Sequence, residues 1–365
     1  VCIPDKSSVS KKISNADMPS GNSADWCVVV DDETTTAGSH MSEPKAERIA
    51  GRWRPILAWT LVGSWGAWAV VRLTGADRLP GFGVPVTPLL SLTPYVAAAA
   101  PVPVICAAVL RRWRATAVSA VVAAGLLTAV LPRVFAADQP QAAGPTIRVL
   151  SGNLMFSRVA PEYVYALIKR TGADVVSLQE FNPDEAAGLT KAGLDRLLPY
   201  HNLDPRWEAN GSGIYSRFPL KPLPSQPGTA MAMPNAELEL PGGRRLQITA
   251  VHPLPPISGP AFGKWRHDLR GLPAADPHGP VRILAGDYNA SLDHAMLRSV
   301  LGRGYVDVAD QAGKGLNPTW GVSMYGPPLS LDHILVDRRC AVRQVSVHDL
   351  PGSDHRAVLA ELRLP

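Results

Sequence analysis

The stretch "RILAGDYNASLD", residues 282–293, runs from an apolar strand into a tight polar cluster. Val281, Ile283 and Leu284 are expected to be buried. Asp287 and Asn289 then follow two residues apart, on the same side of an extended backbone. A turn also explains the cluster, because Gly286, Asp287 and Asn289 are all turn formers. The rest of the chain decides between the two.

From Pro145 onward, short strand patterns alternate with helical ones. Strands are expected at 146–152, 174–179, 212–216, 235–240, 244–251, 281–286, 331–337, 341–347 and 356–363, and helices at 161–171, 183–197, 261–273 and 292–301. About 220 residues suffice for one well-buried α/β domain. Several of the strands end alike, in an acid, amide or imidazole. "TIRVLSGNL" gives Asn153, "ADVVSLQE" Glu180 and "LQITAVHP" His252, while "LSLDHILV" opens on Asp332 and "GSDHRAVLAEL" on Ser353, Asp354 and His355. One such end is a cap or a turn. Six in one domain imply a shared site, and they give the 287–289 cluster a chemical reading.

In this order, the segments "SLQE", "GDYN", "LDHILV" and "SDHRAV" resemble the endonuclease/exonuclease/phosphatase superfamily over residues 146–365. The resemblance implies a four-layer α/β sandwich of two packed mixed sheets, with the site where strand tips meet. It also implies cleavage of phosphate esters or anhydrides with Mg²⁺, with Mn²⁺ as the alternative. Under it, Glu180 is the main metal ligand, Asn153 sits beside it and Asp354 is a second metal contact. Asp287 orients and deprotonates the attacking water, and Asn289 donates to a phosphate oxygen. His355 contacts the scissile phosphate with its tautomer fixed by Asp332, and His252 protonates the leaving oxygen or binds substrate. Arg217 is expected to be structural, and His333 to point away from the site.

Upstream the composition differs. Residues 1–40 are polar and contain "GSHM" (38–41), so they read as a tag or disordered leader, with Met41 as a natural start. Residues 41–135 read as a three-span membrane anchor. The uncharged runs 55–71, 82–110 and 115–131 are close to the length a span needs, the middle one kinked by Pro85, Pro88, Pro94, Pro101 and Pro103. Lys45, Arg48, Arg52 and Arg54 before the first run, and Arg111, Arg112 and Arg114 after the second, outweigh Arg72 and Arg78. This puts the N-terminus and the 111–114 loop in the cytoplasm and everything after Phe135 outside. Trp53, Trp65 and Trp68 fit an interfacial belt. Residues 136–145 read as a linker to the catalytic domain of 146–365.

A net charge of +5 is too small to argue for nucleic acid. Cys2, Cys27, Cys106 and Cys340 show no metal spacing and no disulfide framework, although Cys2 and Cys27 could pair. Three spans plus an outward catalytic domain resemble a membrane-anchored actinobacterial branch that includes VanJ-type teicoplanin-resistance proteins. That resemblance implies dephosphorylation of undecaprenyl pyrophosphate, with a lipid-linked substrate, no nucleic-acid partner and no protein partner to infer. The loop 252–265, with Leu254, Ile257, Phe262 and Lys264, suits a prenyl phosphate and equally fits an ordinary Pro-rich loop. The competing expectation is an extracytoplasmic phosphodiesterase or nuclease acting on nucleic acid or phospholipid headgroups.

Overall fold

The computed structural model describes residues 45–79, 81, 83–322 and 327–365. The expected leader, with Cys2 and Cys27, lies outside the described residues. The apolar N-terminal region forms α1 (Lys45–Thr74), α2 (Gly83–Leu90), α3 (Thr93–Ala98), α4 (Pro101–Val109) and α5 (Trp113–Val130). Trp53–Thr74 and Trp113–Val134 are each long and apolar enough to cross a membrane. Gly83–Leu90 and Thr93–Val109, bent by 65°, make a third span only if taken as one broken one. The expected kink is therefore a break, and proline helps set it. Pro94 lies in the first turn of α3 and Pro101 opens α4, positions where a missing N–H forfeits no helical bond.

Small residues let these helices approach. Ala58, Val62, Ala107 and Ala115 pack together at one end, and Ala69, Ala97, Leu126 and Val130 at the other. Trp65 and Trp68 do not form the expected belt. Their indole N–H groups turn inward and donate to Val96 O and Thr93 Oγ1, each at 3.1 Å.

The remainder is a sandwich of two six-stranded mixed sheets. One contains β1 (Thr146–Asn153), β2 (Val175–Gln179), β3 (Tyr200–Asp204), β4 (Ser212–Ser216), β11 (Ala341–Asp349) and β12 (Arg356–Arg363), in the order β11-β12-β1-β2-β4-β3. The other contains β5 (Leu220–Leu223), β6 (Asn235–Leu240), β7 (Arg244–Val251), β8 (Val281–Asp287), β9 (Tyr305–Asp307) and β10 (Asp332–Asp337), in the order β5-β6-β7-β8-β10-β9. The pairs β1–β2 and β7–β8 are parallel. Alternation sends Val149, Val175 and Ile214 from one sheet against Ile248, Ile283 and Ile334 from the other. The outer faces carry α6 (Pro161–Thr171), α7 (Pro183–Ala192) and α8 (Leu194–Leu197) on the first sheet, and α9 (Gly259–Gly271) and α10 (Ala295–Leu301) on the second. A short α11 (Val308–Gln311) follows β9.

Two expectations change in detail. The helix expected at 183–197 is cut at Gly193, whose φ of 90° only glycine adopts freely. The 136–145 segment is not slack: Ala137 N donates to Gln311 O at 3.0 Å, and Gln139 Oε1 accepts from Val342 N at 2.8 Å.

The helix ends meet the sandwich through the loops after β8 and before β10. Thr87 O pairs with His294 Nε2 at 2.7 Å, Tyr95 OH donates to Pro328 O at 2.7 Å, and Gly315 N donates to Arg133 O at 3.1 Å. Leu110 packs with Ala58 and Val62 in the first half of the Trp53–Thr74 span, so the 111–114 loop lies at the end of the bundle away from the sandwich.

Candidate active site

Strand ends from both sheets converge along one edge. Asn153 closes β1, Glu180 follows β2, His252 follows β7, Asp287 closes β8, Asp332 opens β10 and His355 precedes β12. The β8–β10 register sets Asp332 opposite Asp287. Gly286 permits the closeness: a Cβ there would lie 1.9 Å from Val251 O, so no larger residue lets β7 and β8 approach just before the site.

The 287–289 cluster is a turn as well as part of the site. β8 stops at Asp287, and Asn289 has φ 47°, so the backbone is not extended and simple alternation does not align the two side chains. Asp287 Oδ1 accepts from Asn289 N at 2.8 Å, and Asn289 Nδ2 donates to Pro253 O at 3.0 Å. One amide hydrogen of Asn289 is left for a ligand. Met155, Phe156, Ser157 and Glu180 share the left-handed conformation, with φ of 46°, 57°, 58° and 53°. Non-glycine residues are held this way only where surrounding bonds over-determine them, and such sites cluster at functional centres. Here Met155 N bonds Asn153 Oδ1, Phe156 N bonds Glu180 Oε2 and Ser157 Oγ bonds Glu180 O, at 2.9, 2.9 and 3.1 Å.

Asn153 ties the two principal acids together, its Nδ2 donating to Glu180 Oε1 at 3.0 Å and to Asp287 Oδ2 at 3.1 Å. His355 Nδ1 faces Asp332 Oδ2 at 2.9 Å, leaving Nε2 directed at Asp287 Oδ2 (3.7 Å) and Asp354 Oδ1 (3.9 Å). His252, fully enclosed, has Nε2 4.0 Å from Asp287 Oδ2. The two imidazoles diverge electrostatically. Burial opposes charge on His355, but Asp332 and Asp287 outweigh it and push the imidazole up to about 10. Burial dominates at His252 and holds it at about 4, so its contact with Asp287 is not an ion pair. Burial raises Glu180, more than the Asn153 and Phe156 bonds lower it. Burial also raises Asp287, the nearby His355 only partly offsetting it.

Asp354 is placed differently from the other acids, its Oδ2 engaged by the Trp320 indole N–H at 2.9 Å. Trp320 and Thr319, whose Oγ1 accepts from Asp332 N at 3.0 Å, escaped the sequence reading. They lie in a loop without periodicity, where only the isolated Trp-Gly pair offered a signal. Ser353 Oγ accepts from His355 N and donates to Asn153 O, joining β12 to β1. Phe262 is unavailable to a ligand, because it is buried against Trp265 and beneath Gly83. As expected, His333 faces away, with Nδ1 2.8 Å from Asp307 Oδ2 and Nε2 2.9 Å from Ala290 O. Arg217 pairs with Asp174 at 3.3 Å, far from any reacting group.

The donors present fit a divalent cation. Four carboxylates, Glu180, Asp287, Asp332 and Asp354, face one imidazolium, and Asp332 Oδ1 is buried without a partner. Donor atoms of Asp287, Asp332 and His355 lie within 4.8 Å of one another. Because His355 and Asp332 already bond each other, the Glu180–Asp287 side is the better match for a hard, oxygen-seeking ion.

Residues 150–355 match the profile of the Endonuclease/Exonuclease/phosphatase family, and the chain belongs to that family. Its members hydrolyse phosphoester bonds and generally use a divalent metal. Among solved structures, the endonuclease/exonuclease/phosphatase from Beutenbergia cavernae is 21% identical and covers 60% of this chain and 72% of its own, with a TM-score of 0.50. A humanized D. rerio TDP2 is 19% identical over 60% of this chain and 98% of that one, with a TM-score of 0.45. An Endonuclease/Exonuclease/phosphatase family protein from Leptotrichia buccalis is 15% identical over 59% and 99%, also with a TM-score of 0.45. No curated protein matches the chain.

Proposed function

We propose that the chain is a membrane-anchored, Mg²⁺-dependent phosphohydrolase with an extracytoplasmic site, acting on a lipid-linked pyrophosphate of the undecaprenyl type. One observation carries the reading: the edge of the sandwich that holds the site is the edge joined to the ends of the apolar helices, through the 290–298 and 328–332 segments. A site beside a bilayer meets lipid headgroups at high local concentration. The apolar side chains on the loops flanking the site support the same substrate. Phe156, Trp207, Ile257 and Val322 are 49, 62, 75 and 47% exposed, and such exposure marks surfaces that meet apolar partners. Orientation follows from the Arg111–Arg114 loop lying at the far end of the bundle, on the cytoplasmic side by its charge.

Glu180 would hold the cation with Asn153 beside it, and Asp354 would be a second contact. Bound there, a divalent ion would supply charge neutralisation for the phosphate and a more acidic water. Asp287 accepts the water's proton, Asn289 donates its free amide hydrogen to a phosphate oxygen, and His355, fixed by Asp332, stabilises the phosphate as a cation. His252, neutral in its enclosed position, orients the leaving side by hydrogen bonding.

Reconstituted full-length protein is expected to release inorganic phosphate from undecaprenyl pyrophosphate in vesicles containing Mg²⁺, and not to nick plasmid DNA. Its expression should raise tolerance to teicoplanin-type antibiotics, and the Asp287→Ala variant should not. Nicking without phosphate release would replace the reading with a phosphodiesterase or nuclease. Protection of the sandwich from an impermeant protease on intact cells would overturn the orientation.

A further inference from the structure

The junction of helices and sandwich encloses a charge cluster that the proposed chemistry leaves unused. Asp293 is fully buried. Its carboxylate accepts from Arg72 Nε at 2.5 Å and from Arg133 Nη1 and Nη2 at 2.8 and 2.6 Å. Arg72 lies in the last turn of α1 and Arg133 in the 3-10 turn that ends α5, and both are buried. Arg298, on α10, donates to the Asp293 carbonyl and, at 2.9 Å, to the Arg72 carbonyl. Asp77, enclosed just beyond α1, accepts from Ala295 N at 2.9 Å.

Burying so many charges is costly, and apolar packing in their place is often as stable. What apolar contact does not supply is a unique orientation. A forked guanidinium bonded through two nitrogens to a fixed carboxylate does. The location gives that orientation a use. Asp293 follows Asp287 by six residues and Asn289 by four, and the intervening Tyr288 and Ala290 are buried. His333 Nε2 pins Ala290 O at 2.9 Å, and Tyr288 N donates to Leu331 O at 2.9 Å, next to Asp332. The loop that carries two site residues is thus bonded on one side to the sandwich and on the other to the ends of two apolar helices.

We propose that Arg72, Arg133 and Asp293 form a positioning clamp that holds the mouth of the site at a fixed height and tilt over the bilayer. The site thereby favours phosphate carried by a membrane-embedded amphiphile over phosphate on a soluble ester. The inference rests on the lipid-phosphate reading above.

The test uses the full chain in vesicles with Mg²⁺, comparing wild type with Arg72→Gln, Arg133→Gln, Asp293→Asn and an apolar replacement of the whole cluster (Arg72→Met, Asp293→Leu and Arg133→Met together). The last variant keeps the junction packed if single changes fail to fold. Two substrates are compared, undecaprenyl pyrophosphate in the same vesicles and a water-soluble short-chain pyrophosphate ester. The clamp predicts KM for the embedded substrate raised about tenfold, with kcat and KM for the soluble one within about twofold of wild type. Equal losses on both substrates would reduce Asp293 to a fold residue, and no loss on either would also overturn the clamp. A second readout is independent of substrate. Spin labels at Ser64→Cys and Lys221→Cys, with native cysteines replaced by alanine, should give one narrow distance in the parent and a broadened one in the variants. An unchanged distribution rejects the clamp. A wild type that cleaves only the soluble ester rejects the lipid reading instead.

Discussion

The helical bundle and the sandwich dispose their apolar residues in opposite ways. In the sandwich, branched residues such as Val149, Ile248 and Ile334 lie between the sheets with no exposure, while polar side chains gather at one edge. In the bundle the interior holds alanines, and Ile56, Val70, Val109 and Val121 point outward at 60 to 76% exposure. Burial of large side chains in the sandwich is what the hydrophobic effect drives in water. The bundle resembles helices that associate through small residues in an apolar surround. Polar groups differ correspondingly. Those on the sandwich edge converge on the candidate site, whereas those at the bundle's end, Arg72 and Arg133, are closed into its junction.

The comparison breaks first if edge residues prove structural. Glu180→Ala is expected to lower hydrolysis by about a thousandfold or more, since removing one group aimed at transition-state charge already costs about 10²–10³-fold. The fold should survive. Burial raises the Glu180 carboxyl, so its ionised form is disfavoured in the native state and its removal relieves a cost. Chelation with EDTA should abolish activity equally. A variant that keeps its rate, or loses its thermal transition with its rate, rejects the assignment.

Next in size is the contrast between the imidazoles. His355→Ala and Asp332→Asn should each cost about a hundredfold, with a double variant little worse than either, because one acts through the other. His252→Ala should be milder on substrates with good leaving groups, and equal losses on all substrates would make it a phosphate binder. The pH sign is definite for His355. Its folded pKa of about 10 exceeds the ordinary 6.5, so its stabilisation is complete below pH 6.5 and fades as pH rises towards 10. Denaturation in EDTA should therefore show wild type losing its advantage over His355→Gln across that window. A constant difference sinks the ion-pair account.

Much of this edge was legible because an apolar run marks a strand and the next polar residue marks its tip. That logic found Asn153, Glu180, His252, Asp287 and Asp332. It missed β3, β5 and β9, which are short and, in β3 and β5, largely without buried residues, so no alternating signal arises. It could not foresee the left-handed turn at Asn289, since an Asn after a strand fits either conformation. Arg72 read as a flanking charge, and nothing local told that its partner lay 221 residues away. Phe262 read as lipid-facing within its loop, but helix α9 turns it inward. Long-range partners and loop conformations are set by packing, to which a local pattern is blind.

The bundle side is sharpened by overpacking. Ala107→Leu forces a larger side chain between helices where Ala107 has no exposure. It should destabilise by about 1–3 kcal/mol, without changing kcat on a soluble ester. The same change on the bundle's outward face, Ala120→Leu, should be silent. If the two behave alike in detergent melts, the interior and exterior assigned to the bundle are wrong.

The smallest effect tests a polar group that sits in the sandwich but away from its functional edge. Glu185 is buried in the first turn of α7 with Oε1 unpartnered, and burial, helped by the charge of Glu162, pushes its carboxyl up to about 8. A raised carboxyl favours the folded state while protonated. Its contribution is therefore full below the ordinary 4.5 and is lost as pH climbs to about 8. The α7 N-terminus partly supports the charge and solvent screens it, so the loss should be about 1 kcal/mol rather than the full shift. Glu185→Gln keeps the shape without the charge. Its thermal midpoint should match wild type near pH 4.5 and exceed it above pH 8, with activity unchanged when both are assayed at the same pH. Parallel stability curves from pH 4.5 to 9 would show that Glu185 is solvated in its place.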